Sequence, residues 1–183
     1  MEDLSLHILD ITENSIRAGA SKIKILILED IKANLLLLEI CDNGKGMDEE
    51  MVKRVCDPFY TTKSVRRVGL GLPLLAQTAR ECGGDLEIET GQGKGSTVTA
   101  RFQHNHIDRK PMGDIEKTMT VLIVSHPDID FILEHKKGNS SYALDTGDLK
   151  RQLDGIPINN PEVIKFIKND INSWLNNADS MIE

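Results

Sequence analysis

Leu4, Ile8, Ile11 and the pair Ser15-Ile16 recur at the spacing of a helix, and Gly19 marks its stop. The period then changes to two, with Lys22 to Glu29 alternating around Ile23, Ile25 and Ile27. Asn34 to Cys41 is a nearly continuous apolar run, so two strands joined by a turn are expected, the second buried on both faces. Asp48 to Cys56 reads as a helix ended by Pro58. Leu70 to Cys82 reads as another, with Pro73 in its first turn and Gly83-Gly84 as a left-handed cap. Asp85 to Thr90 and Ser96 to Phe102 alternate as a hairpin, with Val98, Ala100 and Phe102 on one face. After a polar linker from His104 to Lys110, Met119 to Val124 reads as a strand able to extend the main sheet. Asp130 to Glu134 and Ser141 to Leu144 read as a hairpin about Lys137-Gly138-Asn139. Pro161 opens a last helix with Ile164, Ile167, Ile171, Trp174 and Leu175 along one side, a stripe expected to be core packing. The chain is expected to divide near residue 108, into residues 1–107 and a C-terminal extension over 108–183.

Length and composition narrow the possibilities. A chain of 183 residues holds one good core, or one core with a modest appendage. A net charge of -7 argues against a surface that follows a nucleic-acid backbone, which needs clustered Lys and Arg. Cys41, Cys56 and Cys82 have no metal-type spacing and read as small hydrophobes in a reducing compartment. No apolar run approaches the ~20 residues that cross a bilayer. A cytoplasmic protein with neither membrane nor nucleic-acid partners is the expectation.

Four segments carry chemistry. On the opening helix His7, Asp10 and Asn14 share a face. An amide oxygen from Asn14 suits a magnesium ion that otherwise holds waters and phosphate oxygens. Asp10, one turn earlier, is placed to orient a water or hydroxyl for attack on a terminal phosphate. The second segment, Asp42-Asn43-Gly44-Lys45-Gly46-Met47, follows a strand; a carboxylate there can accept from an exocyclic amine while the glycines admit a flat ring. The same residues also spell a tight turn. A calcium loop is excluded, because Gly44 and Gly46 stand where oxygen ligands are needed. The third segment runs from Asp57-Pro58-Phe59-Tyr60-Thr61-Thr62-Lys63 to Gly69-Leu70-Gly71-Leu72. Its glycines precede a helix, whose free N–H groups suit phosphate, and Lys63, Arg66 and Arg67 add positive charge. Residues 61–68 read as a lid. The fourth, Gly91-Gln92-Gly93-Lys94-Gly95-Ser96-Thr97, is a glycine-rich turn.

Taken together and in order, the four segments resemble the ATP-binding boxes of the GHKL (Bergerat-fold) superfamily, which includes gyrase, heat-shock chaperone, histidine kinase and mismatch-repair ATPases. The resemblance covers residues 4–103. Pro58 to Lys63, Gly69 to Leu72 and Gly93 to Thr97 look most like histidine kinases; Glu13-Asn14-Ser15 with Ala18-Gly19-Ala20 looks closer to the mismatch-repair branch. By resemblance Asn14 holds magnesium and Asp42 reads the adenine amine. Gly44, Gly46 and Met47 shape the base pocket, Lys63, Gly69, Leu70 and Gly71 meet phosphates, and Thr97 supports the base. The fold implied is an α/β two-layer sandwich with a mixed, mostly antiparallel sheet, plus a small α+β C-terminal extension.

Two departures limit what the resemblance carries over. Position 10 is usually Glu in superfamily members that hydrolyse ATP and Asn in histidine kinases; Asp10 keeps a carboxylate one methylene shorter. Glu13 lies about 100 degrees per residue around the helix from it and is no substitute. The second is that the dimerisation and phosphoacceptor domain that precedes a histidine kinase's ATP domain is not expected in this sequence. His7-Ile8-Leu9-Asp10 faintly resembles a phosphoacceptor box but lies inside the first helix, so an acceptor histidine is expected on another chain. Leu144-Asp145-Thr146-Gly147 spells an aspartic-protease motif, yet such enzymes need two aspartates and the chain has one copy; a helix N-cap is the expected role.

The leading expectation is an ATP-Mg-binding signalling protein, a kinase or regulator acting on a separate protein. The alternatives are a nucleotide-gated binding module without turnover, or a hydrolytic ATPase. If the C-terminal stripe is exposed, it is the candidate contact for a homodimer or partner.

Overall fold

A computed structural model describes residues 2–47, 52 and 71–180. Asp3 caps the first helix, α1 (Leu4–Arg17), by accepting from the Leu6 N–H. The chain leaves it through Gly19 at φ +79, the expected stop. Strands β1 (Lys22–Asp30) and β2 (Leu35–Asp42) follow, then α2 (Gly71–Glu81), β3 (Asp85–Gly91) and β4 (Gly95–Gln103). Beyond the linker come α3 (Ile115–Ser125), β5 (Asp130–Lys137), β6 (Ser140–Asp145), α4 (Thr146–Gln152) and α5 (Pro161–Ser180). Apart from Val52, the helix expected over 48–56 lies outside the described residues.

The six strands form one sheet in the order β3-β4-β2-β1-β5-β6. Only β1 and β5 run parallel; the other neighbours are antiparallel. Ile23, Ile25 and Ile27 of β1, Leu36, Leu38 and Ile40 of β2, Val98, Ala100 and Phe102 of β4, and Phe131 and Leu133 of β5 are buried beneath the helices. Full burial of each of these side chains other than Ala100 stabilises the fold by about 1.5–3 kcal/mol. The intervening positions, including Leu26, Leu28, Leu37 and Cys41, are half-buried on the open face. The architecture is therefore the two-layer α/β sandwich with a mixed sheet.

Two expectations are corrected. Met119–Val124 is helix, the second half of α3. Ile115, Thr118, Met119, Leu122 and Ile123 are its buried positions, a helical period that begins before Met119 and is hidden by the β-branched run. Asp114 caps it by accepting from the Lys117 N–H. The sheet is extended instead by β5, through the expected hairpin with β6. The second correction concerns β2, which is fully buried on one face only: its alternate residues are half-buried, and among the described residues no layer covers that face. Asp145 caps α4 as expected, accepting from Gly147 and Asp148. Ile164, Ile167 and Ile171 of α5 are buried, so its stripe is core. Cys82 is buried, which pushes its thiol up, Cys41 is half-buried, and Cys56 lies outside the described residues. Among the described residues no helix is long and apolar enough to cross a membrane.

A polar chain ties β1 to the C-terminal elements. The Glu29 carboxylate takes His135 Nε2 at 2.8 Å on one oxygen and His104 Nε2 at 3.1 Å on the other. Trp174 Nε1 donates to His135 Nδ1 at 3.0 Å. An indole only donates, so His135 carries its hydrogen on Nε2 and gives it to Glu29. Tyr142 stacks on Trp174 with 5.8 Å between centroids and donates to Asp170 at 2.6 Å. Burial pushes the Glu29 carboxyl up, but the hydrogen bonds from His135 and His104, with Lys137 nearby, outweigh it and hold the group down at about 2. His7 behaves differently: burial holds its imidazole down at about 4, and Nδ1 has no hydrogen-bond partner.

Both groups have folded-state values below their unfolded ones, so both make stability fall with acid. The His7 contribution is present above pH 6.5 and is lost as the pH falls toward about 4. The Glu29 contribution is present above 4.5 and is lost as the pH falls toward about 2. Urea unfolding at a series of pH values is expected to show the upper window flattened in His7→Leu and the lower one flattened in Glu29→Gln. A profile unchanged by either substitution contradicts the corresponding assignment.

Candidate functional site

Asp42 closes β2 on the helix-covered face and is nevertheless a carboxylate, 9% exposed. Two protein donors satisfy it. Ser15 Oγ on α1 donates to Oδ2 at 2.7 Å, and the Gly44 N–H donates to Oδ1 at 2.8 Å. Each carboxylate oxygen accepts about two hydrogen bonds, so each keeps one acceptor position for a ligand donor. The register sets Asp42 in a row across the sheet: Thr90 opposite Ser96, Ser96 opposite Asp42, Asp42 opposite Ile23, and Ile23 opposite Phe131.

Two loops flank this carboxylate and are joined to each other. Residues 43–47 leave β2, and the turn at 91–95 joins β3 to β4. The Gly93 N–H donates to Lys45 O at 2.7 Å, and the Met47 N–H donates to Thr90 Oγ1 at 2.9 Å. At Gly46, with φ +68, a Cβ would collide with the Gly91 carbonyl. At Gly95, with φ +80, it would collide with the Asp42 carbonyl. Only glycine permits this backbone approach at both places. Lys45 N donates to Ala18 O at 3.0 Å, and Gly44 lies against the same carbonyl, so α1 holds the loop from its other side.

The expected face of α1 is present. Asn14 is half-buried and accepts from Arg17 Nη1 at 2.8 Å through Oδ1. Asp10 Oδ2 is buried with no hydrogen-bond partner among the described residues. Its carboxylate lies against Gly71, the first described residue of α2, where a Cβ would fall inside it. His7 is 1% exposed, and burial of that order closes it to a phosphoryl donor from another domain. Glu13 points elsewhere and pairs with His126 Nε2 at 3.2 Å.

The structure thus brings Asp42, Gly44, Gly46 and Met47 into one loop cluster beside α1, and Asp10 against Gly71. Lys63, Gly69 and Leu70 lie outside the described residues. Thr97 is not brought to Asp42: it pairs with Cys41 on the open face, while Ser96 shares the Asp42 face. That placement was already in the pattern, since Val98, Ala100 and Phe102 point inward and Ser96 keeps their parity. Ser15 and Thr90 were also missed. Ser15 follows Asn14 and was legible by adjacency, whereas Thr90 depends on a fold-back that sequence does not display.

An amide oxygen from Asn14 is the right hard donor for a magnesium ion that takes its other ligands from phosphate and water. Among the described residues no group of three or more His, Cys, Asp or Glu is arranged to hold a metal.

The profile of the family described as histidine kinase-, DNA gyrase B-, and HSP90-like ATPase matches residues 2–106. A putative sensor protein of Shewanella frigidimarina is 30% identical over 103 residues, covering 55% of this chain and 16% of that protein. Sporulation kinase C of Bacillus subtilis is 35% identical over 88 residues, covering 48% of this chain and 20% of that protein. The chain therefore spans a fifth or less of the length of these curated relatives. Among solved structures, the Aquifex aeolicus MutL ATPase domain complexed with ADP superposes with a TM-score of 0.51 at 18% identity, covering 84% of this chain and 68% of that one. Likeness at that identity bears on the fold alone. With more than half its length matched, the chain belongs to the histidine kinase-, DNA gyrase B-, and HSP90-like ATPase family.

Proposed function

We propose that the chain binds ATP with magnesium at this cluster and works in the cytoplasm as a kinase-like signalling protein that acts on a separate protein. The observation that carries the reading is the buried Asp42 carboxylate, held by Ser15 and Gly44 with an acceptor position left on each oxygen. That arrangement suits the exocyclic amine of adenine, and the tight loops on either side suit a flat ring. The unpartnered Asp10 oxygen over Gly71 supports a phosphate end near the start of α2. ATP would supply the transferable phosphoryl group, and magnesium would neutralise its charge. Asn14 would hold the metal, and Asp10 would accept the proton of the attacking hydroxyl or water. The kinase assignment draws on the relatives named as a sporulation kinase and a putative sensor protein. Burial of His7 supports an acceptor on another polypeptide.

The short carboxylate at position 10 favours a second reading, a nucleotide-gated binding module with little turnover. One set of variants separates the two. Calorimetric titration with a non-hydrolysable ATP analogue, with and without magnesium, is expected to show metal-dependent binding that Asp42→Asn weakens about tenfold or more, because an amide donor then faces the amine. Gly71→Ala is expected to weaken binding as well, since its methyl collides with Asp10 and forces α2 away from α1, moving the phosphate end of the site. Absence of analogue binding at millimolar concentration contradicts the nucleotide site. Asp10→Asn is expected to keep binding but lower phosphoryl transfer by about 10²–10⁴-fold if Asp10 is the base. Partner function that survives Asp10→Asn selects the binding module.

A further inference from the structure

Thr90 has no place in the roles above, yet its hydroxyl is the most heavily used in the site. It accepts from the Met47 N–H at 2.9 Å, lies 2.9 Å from Gly95 O, and lies 2.9 Å from Ser96 Oγ. A hydroxyl has one hydrogen and two lone pairs. A carbonyl only accepts, so the Thr90 hydrogen goes to Gly95 O. Both lone pairs then receive donors, and Ser96 must be the second of them. The hydroxyl hydrogen of Ser96 is thereby committed to Thr90, and Ser96 Oγ has only lone pairs left to offer. Ser96 stands opposite Asp42 in the antiparallel ladder and on the same face; opposed side chains of that kind have Cβ atoms about 4.5–5.5 Å apart.

We propose that Thr90 is a positioning residue for base recognition: its hydroxyl fixes Ser96 as an acceptor beside Asp42, and the two acceptors together select a purine that carries an exocyclic amine. The proposal rests on the nucleotide-binding reading of the site. An amine at the purine 6-position has hydrogens for both acceptors. A 6-oxo group presents its own lone pairs to both and is repelled. The same hydroxyl holds the 43–47 loop to the 91–95 turn, so positioning of the pocket and choice of base depend on one side chain. Thr90→Val keeps the shape but removes the acceptor for Ser96. The Ser96 hydroxyl is then free to turn and donate to a 6-oxo group, and selectivity falls.

The test compares ATP with inosine triphosphate, which differs by an oxo group in place of the 6-amine, by calorimetric titration of the full chain. The wild type is expected to favour ATP by about tenfold or more. Thr90→Val is expected to lower that ratio about fivefold or more, and Thr90→Ser to restore it. Ser96→Ala is expected to lower the ratio too, and adding Thr90→Val to it is expected to lower it no further, because Thr90 acts on the ratio through Ser96. A purely structural role would weaken both nucleotides equally, and an unchanged ratio in folded Thr90→Val overturns the proposal. Should Thr90→Val not fold, an unchanged ratio in Ser96→Ala overturns it. A wild type that binds ATP but discriminates no better than its variants sinks this inference alone; a wild type that binds neither nucleotide sinks the nucleotide site with it.

Discussion

Strand β1 is hydrogen-bonded on both sides, antiparallel to β2 and parallel to β5, and this double pairing is what makes the chain one sheet. A strand in that position has no free edge, so its backbone polar groups find partners in the ladders on either side. Its inward residues, Ile23, Ile25 and Ile27, then form the middle of the apolar face on which the helices pack. The parallel partner comes from beyond residue 108, and the connection between them runs through most of the family-matched region. Glu29, at the far end of β1, holds His104 and His135 together, so the same strand anchors the linker and the C-terminal hairpin electrostatically.

The site lies at the opposite end of the apolar rows and is built on their exception. Burying a carboxylate is costly unless donors surround it. At Asp42 the donors are Ser15 from α1 and the Gly44 backbone, so helix, strand and loop all converge on one side chain. The glycines around it are short of alternatives: at Gly46 and Gly95 the neighbouring loop's carbonyl occupies the space a side chain would need. Close loop packing and an under-used carboxylate are therefore one feature.

Much of this was legible from residue order. The helical period of α1, the alternation of β1 and β4, and the hairpin about Gly138 each report a local periodicity that the tertiary fold reinforces. Met119–Val124 misled because β-branched residues suit a strand locally, while the buried stripe beginning at Ile115 needed a longer window. The run in β2 suggested a strand covered on both faces, but Leu35 and Leu37, half of its leucines, lie on the face that is only half-buried. Parity along β4 puts Ser96 on the face of Asp42 and Thr97 opposite Cys41 on the other face.

The sequence by itself determined the family, the order of most elements, and which acidic and amide side chains share a helix face, because these depend on spacing along one segment. Only the tertiary structure decided that β5 joins β1, that Ser15 reaches Asp42 across 27 positions of chain, and that Thr90 meets Met47 across 43. Such contacts are set by strand register and by how closely two loops can approach. Those quantities arise from packing of the whole sheet and leave no periodic trace in any one stretch of chain.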